Sequence, residues 1–221
     1  MKTTLKHIED LNPPGGSLQR LCAALGSNDK AAEVSIAALV KSHGLDYALW
    51  ACQGIDDLHD GLRGFAIECA SAVQHIMPLR ARQLLFLHTS VMNGSNRISI
   101  TDLNFQLQLA KDSVQATKNT TQSQSDMAKR FAGEAAIALA TQDPAIAART
   151  VCRVAKEAAA FSDPDGYGAR EIVAKKQEDQ FLAMIGATDD DLIYQKPQES
   201  IEPTAGPIRR AKYEWISAGV R

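Results

Sequence analysis

Two neighbouring stretches of this chain, FAGEAAIALA over 131–140 and PAIAARTVCRVAKEAAAF over 144–161, are built largely of alanine. Alanine loses no side-chain entropy on entering a helix, so such runs favour helix over any other state. Their small side chains let a partner helix approach at the low end of the usual ~8–10 Å separation. With 34 alanines in 221 residues and only 5% aromatic residues, the chain is expected to be all-α. The arrangement expected is an antiparallel multi-helix bundle, or an irregular array of helical hairpins, of about eight to nine helices.

Start and stop signals divide the chain. Pro13-Pro14-Gly15-Gly16 interrupts any helix, Ser17 follows as a candidate N-cap, and a first helix is expected over 17–26. A second, capped by Asp29, runs over 29–42 to Gly44, and a third, mostly buried, starts at Leu45 and carries Tyr47 and Trp50. Leu58, Leu62, Phe65, Cys69, Ala72, Val73 and Ile76 share one side of a helix over 57–77 that stops at Pro78, the expected centre of the fold. Leu84, Leu87, His88 and Val91 define the next face, closed by Asn93-Gly94-Ser95. Arg97–Ile100 is a short extended piece, and Thr101 or Asp102 caps a helix carrying Leu103, Leu107, Ala110 and Val114. A polar loop covers 118–126, and a helix begins near Ser125 with Met127, Phe131, Ala135 and Leu139 on its face. Asp143-Pro144 restarts the chain as N-cap and first helical residue for a helix over 144–161. A last helix covers 170–185 and stops at Gly186. The expected organisation is an N-terminal extension (1–16), a helical domain (17–187) and an extended, proline-containing C-terminal tail (188–221) with a basic aromatic end.

Charge narrows function. Lys and Arg number 24 against 26 Asp and Glu, a net charge of −2, so no global basic field attracts nucleic acid phosphates. No run approaches the ~20 apolar residues that span a bilayer, and MKTTLKHIEDLNPPGG lacks the apolar core of a signal peptide. A cytoplasmic protein is expected. Cys22, Cys52, Cys69 and Cys152 show neither C-x-x-C nor zinc-finger spacing and are expected to be buried free thiols, with no metal and no cofactor.

The five histidines include no metallohydrolase pair, and no G-x-S-x-G or phosphate-loop motif appears. Glu68 and His75, seven apart, would share a face of the 57–77 helix. With His88, Glu171 and Gln180 they form the candidate lining of a pocket, the alternative to a purely solvated polar stripe. Asp189, Asp190 and Asp191 lack the alternation of a calcium loop and suit a capping cluster or an acidic rim. In the tail, Arg209, Arg210, Tyr213 and Trp215 form a basic aromatic patch, the residue types enriched at protein interfaces. That patch either grips a partner or folds back on the body.

The runs DYALWACQGIDDLHDGLRGFAIECASAVQHIMP, MAKRFAGEAAIALATQDPAIAARTVCRVAKEAA and REIVAKKQEDQFLAMI are similar, in order and texture, to a family of bacterial immunity proteins of polymorphic toxin systems. The matching positions are Trp50, Glu68, Cys69, Ala70, Val73, Pro78, Ala135 to Ala140, Ala155, Glu171, Gln177 and Leu182, within residues 45–185. The resemblance implies a non-catalytic inhibitor that sequesters a cognate protein toxin or effector domain in the cytosol. The acidic cluster or the basic aromatic tail would then form the rim of its interface. Two other classes stay open: a small-ligand binder or enzyme with a pocket near Glu68, His75 and Glu171, and a self-associating scaffold subunit.

Overall fold

Asp143 sets the pattern by which this sequence makes its helices. Its carboxylate accepts from the backbone N–H groups of Ala145 (2.8 Å) and Ile146 (3.0 Å), and Pro144 occupies the first helical position, where its missing N–H costs nothing. Ser35, Ser99 and Ser123 cap three further helices in the same way. The computed structural model describes residues 1–95, 98–119, 123–164, 167–188 and 191.

Among these residues the chain forms ten α-helices and one two-stranded sheet. Their order is β1 (Lys2–Thr4), α1 (Leu5–Asp10), α2 (Ser17–Leu25), β2 (Glu33–Ser35), α3 (Ile36–His43), α4 (Leu45–Ala51), α5 (His59–Ser71), α6 (Leu79–Met92), α7 (Ile100–Lys118), α8 (Gln124–Ala138), α9 (Pro144–Ser162) and α10 (Tyr167–Met184). Short 3₁₀ turns at Asp56–Leu58 and Gln74–Ile76 flank α5. The all-helical expectation therefore holds.

The central helix is α9, not the 57–77 segment. It packs against α4, α5, α8 and α10, and Ala145, Ala147, Ala148, Ala155 and Ala158 are all at most 2% exposed. Small side chains around its circumference let four helices approach at once. The expected 57–77 helix ends at Ser71. Val73 turns through the 3₁₀ segment and Met77 is extended (ψ 143°), the conformation that a following proline imposes on the residue before it.

The N-terminal residues depart from the expected extension. Thr3 pairs antiparallel with Val34, and Leu5 and Ile8 are buried in the core cluster, so residues 2–10 belong to the body. Hydrogen bonding of β1 to Glu33–Ser35 also replaces the start of the expected 29–42 helix, which forms only from Ile36. Gly16, with φ 75°, takes the N-cap position of α2, while Ser17 donates from its hydroxyl to the Pro14 carbonyl at 2.6 Å. Residues 98 and 99 belong to no strand; Ser99 caps α7.

Phe181 ties α10 to the body. It is fully buried and meets Phe65 of α5 edge to face at 5.6 Å, the geometry aromatic quadrupoles prefer. Gln177, 2% exposed, donates from Nε2 to the Cys152 carbonyl at 3.2 Å. Gly133 of α8 permits close approach to α7: a β-carbon there would collide with Val114 Cγ2 and press on Pro78.

Candidate functional site

α6 begins at Leu79 because Pro78 cannot continue the preceding turn. Its apolar residues outnumber what one buried face can hold. Ala81, Leu84 and Leu85 are buried, Leu87 and His88 are half-buried, but Leu79, Phe86, Val91 and Met92 remain exposed. α7 repeats this pattern: it buries only Ala110 and Val114 and leaves Ile100 and Phe105 at 79% and 61% exposure. The α6–α7 hairpin thus carries most of the large apolar side chains that the described residues expose. An apolar groove of about 660 Å³ runs beside α6, lined by Leu79, Arg82, Leu85, Phe86 and Gln106.

The charge around α6 has one sign, whereas α7 carries Asp102 and Asp112 as well as Lys111 and Lys118. Residues 69–101 contain no Asp or Glu, while Arg80, Arg82 and Arg97 fall within them. Arg80 donates to Gln83 Oε1 at 3.0 Å and Arg82 to the Met77 carbonyl at 3.3 Å. Among the described residues neither is in an ion pair. Arg149 by contrast forms a fork, its Nε and Nη2 reaching the Asp46 carboxylate at 2.8 and 2.7 Å.

On the opposite side of α6 lies a second cleft, of about 340 Å³, between α5, α6, α7 and the turn joining α8 to α9. Ile67, Met92, Leu103 and Leu139 supply apolar wall, and Arg63, His88 and Asn104 supply polar groups. His88 Nε2 is sealed from water and has no hydrogen-bond partner. An unsatisfied buried group of this kind costs about 1–3 kcal/mol. Burial, with a smaller contribution from the nearby Arg63 guanidinium, pushes the His88 imidazole down to about 4, so it is neutral at physiological pH. Arg63 is held at the rim by donation from Nη2 to the Gln142 carbonyl, 2.8 Å away.

The sequence-derived pocket residues fall in separate places. Glu68 of α5 accepts from Gln180 Nε2 of α10 at 3.4 Å, so these two meet at the surface. Glu171 lies on the exposed side of α10, where it and Gln180 line one shallow depression with Ile172 and Lys175. His75 is exposed in the 3₁₀ turn, so it does not share a helix face with Glu68. Only His88 enters a cleft with a defined polar end.

Asp191 accepts from the Thr188 backbone N–H (3.1 Å) and hydroxyl (2.9 Å), which hold its carboxyl below the usual range. Of the triple aspartate, Asp191 alone falls within the described residues, and these bonds to Thr188 are a local cap. Asp189, Asp190, Arg209, Arg210, Tyr213 and Trp215 lie outside the described residues. The four cysteines are free thiols. Cys52, Cys69 and Cys152 are buried and Cys22 is half-buried. Cys152 Sγ lies 3.8 Å from Cys69 Sγ; that contact, with burial, raises the Cys152 thiol well above its ordinary value, while burial pushes Cys52 up to about 12. Such thiols are poor nucleophiles at neutral pH.

Among the described residues, no group of three or more His, Cys, Asp and Glu stands where it would hold a metal ion, and no helix is long and apolar enough to cross a membrane. Comparison with protein-family models, with curated proteins and with solved structures finds no match to this chain.

Proposed function

We propose that this chain is a cytosolic, non-catalytic binding protein of the immunity type, a helical body that captures a protein toxin or effector domain on its α6–α7 face. The observation that carries this reading is the exposure of Leu79 and Phe86 beside Arg80 and Arg82, which have no acidic partner among the described residues, with Ile100 and Phe105 exposed on α7. Exposed apolar side chains beside a groove rimmed by polar groups mark protein interaction sites, and arginine and aromatic residues supply most interface anchors.

The occupant is a protein segment that alternates apolar with acidic side chains. Its apolar residues fill the groove beside Phe86, and its carboxylates meet Arg80 and Arg82. The positive charge of α6 sets the rate of encounter, and the buried anchors set the lifetime of the complex. The resemblance over residues 45–185 to immunity proteins of toxin systems supports the same class of partner. The basic aromatic tail, with Arg209, Arg210, Tyr213 and Trp215, is a second contact in this reading.

A photo-crosslinking residue at position 86, in the full chain expressed in its own cell, tests the proposal. One partner in stoichiometric yield is expected, joined through a peptide containing Asp or Glu beside apolar residues. Its toxicity should be neutralised on co-expression. Cross-links to the chain itself alone would favour self-association, and a partner joined through a basic peptide would contradict the charge argument.

A further inference from the structure

We propose that the cleft between α5, α6, α7 and the α8–α9 turn is a small-molecule site for an organic monocarboxylate with an apolar body. The inference is independent of the α6–α7 docking face, since the cleft opens on the other side of α6.

Three features of the cleft select that chemical class. Its volume of about 340 Å³ stands at the lower end of the ~300–1,000 Å³ range of small-molecule pockets, which suits a short alkyl or single-ring acid. Ile67, Met92, Leu103 and Leu139 favour an apolar body that leaves water. The polar end offers one fixed cation and one neutral imidazole. Arg63 is tethered by a single bond from Nη2 to the Gln142 carbonyl. Among the described residues no carboxylate forms an ion pair with it. Its remaining N–H groups suit the charge-assisted, fork-shaped pairing that carboxylates make with guanidinium. His88 Nε2, buried and without a partner, gains one when the bound carboxylate accepts its N–H. A ligand carboxylate therefore answers both the partnerless His88 Nε2 and the Arg63 charge, whereas a ligand ammonium would repel Arg63 and an alcohol would leave its charge unmatched.

The test uses the full chain labelled with ¹⁵N-histidine and four probes: octanoate, phenylacetate, octanol and octylamine. The two acids are expected to move the His88 imidazole resonances saturably, without matching movement of exposed His75, and to raise the thermal midpoint. Arg63→Gln is expected to weaken the acids by about tenfold or more, and Arg63→Lys, which keeps the charge but loses the fork, by less. Ala140→Trp, at an exposed position on the cleft wall, is expected to block it and leave the fold intact. No saturable movement of His88 at millimolar acid overturns the proposal. So does equal binding of octanol and octanoate, and so does binding that survives Arg63→Gln or Ala140→Trp.

Discussion

Helices α7 and α9 each have 19 residues, yet the chain uses them in opposite ways. In α9, ten residues are buried and seven of those are alanine or proline; in α7, only Ala110 and Val114 are buried. α9 carries few large side chains and buries most of its alanines among four neighbours, Ile146 being its one exposed large apolar residue among the described residues. α7 carries Ile100, Phe105 and several leucines and leaves the largest in water. Apolar content alone therefore does not make a core. Small residues allow close approach and build this fold, and the larger ones in excess of a single buried face form a surface available to another molecule.

This comparison can be broken first at the core. Phe181→Ala, which empties a fully buried site against Phe65, is expected to cost about 3–5 kcal/mol in denaturant unfolding. The same truncation at exposed Phe105 is expected to stay within about 0.5 kcal/mol. Comparable losses at both positions would erase the distinction between packed and presented apolar side chains.

His88 gives a pH-dependent version of the same contrast. Its ordinary value is 6.5 and its folded value about 4. Between these pH values the unfolded chain binds a proton that the folded chain refuses, so stability is present above 6.5 and falls as pH drops towards 4. The full loss is on the order of 3 kcal/mol. His88→Gln should flatten this part of the pH–stability curve, as measured by urea unfolding at pH 7, 6 and 5, and an unchanged curve would remove His88 from the account.

Close approach is sharpened at Gly133. Gly133→Ala drives a β-carbon into Val114 and Pro78 and is expected to destabilise by about 1–3 kcal/mol, even though alanine is the better helix former. A gain in stability would mean that α7 gives way freely. The smallest effect is expected at the surface fork of Asp46 and Arg149, which is partly exposed and screened. Asp46→Asn should cost no more than about 1 kcal/mol, and less at high salt.

Much of the frame was legible in the sequence because its signals are local. Asp143-Pro144, Gly44 and Gly186 mark helix boundaries by backbone chemistry that needs no tertiary partner, and the alanine runs announced close packing. The break after Ser71 was not legible: Cys69, Val73 and Ile76 keep helical spacing, and only the packed structure ends the helix before Pro78. Residues 2–10 were equally opaque, because a three-residue strand gains its meaning from pairing with Val34.

The candidate site was legible in fragments. His88 was legible as a polar residue on the apolar face of its helix, but its relation to Arg63, 25 positions earlier, depends on how α5 lies against α6. The inward reading of Val91 failed because α6 has more apolar residues than its neighbours cover. The acid-free stretch 69–101 was available in the sequence and is the signal that would have pointed to the docking face, since one-signed charge beside surplus apolar residues is what a partner of opposite sign recognises.

The central claim, that α9 is for folding and the α6–α7 face for binding, is tested most directly by a paired measurement on one variant. Phe86→Asp combined with Arg82→Glu changes only exposed side chains. The account predicts a thermal midpoint within a few degrees of the unaltered chain and affinity for the partner identified by cross-linking reduced by more than about tenfold in a pull-down. Capture that persists, or that fails only because the variant unfolds, would contradict it.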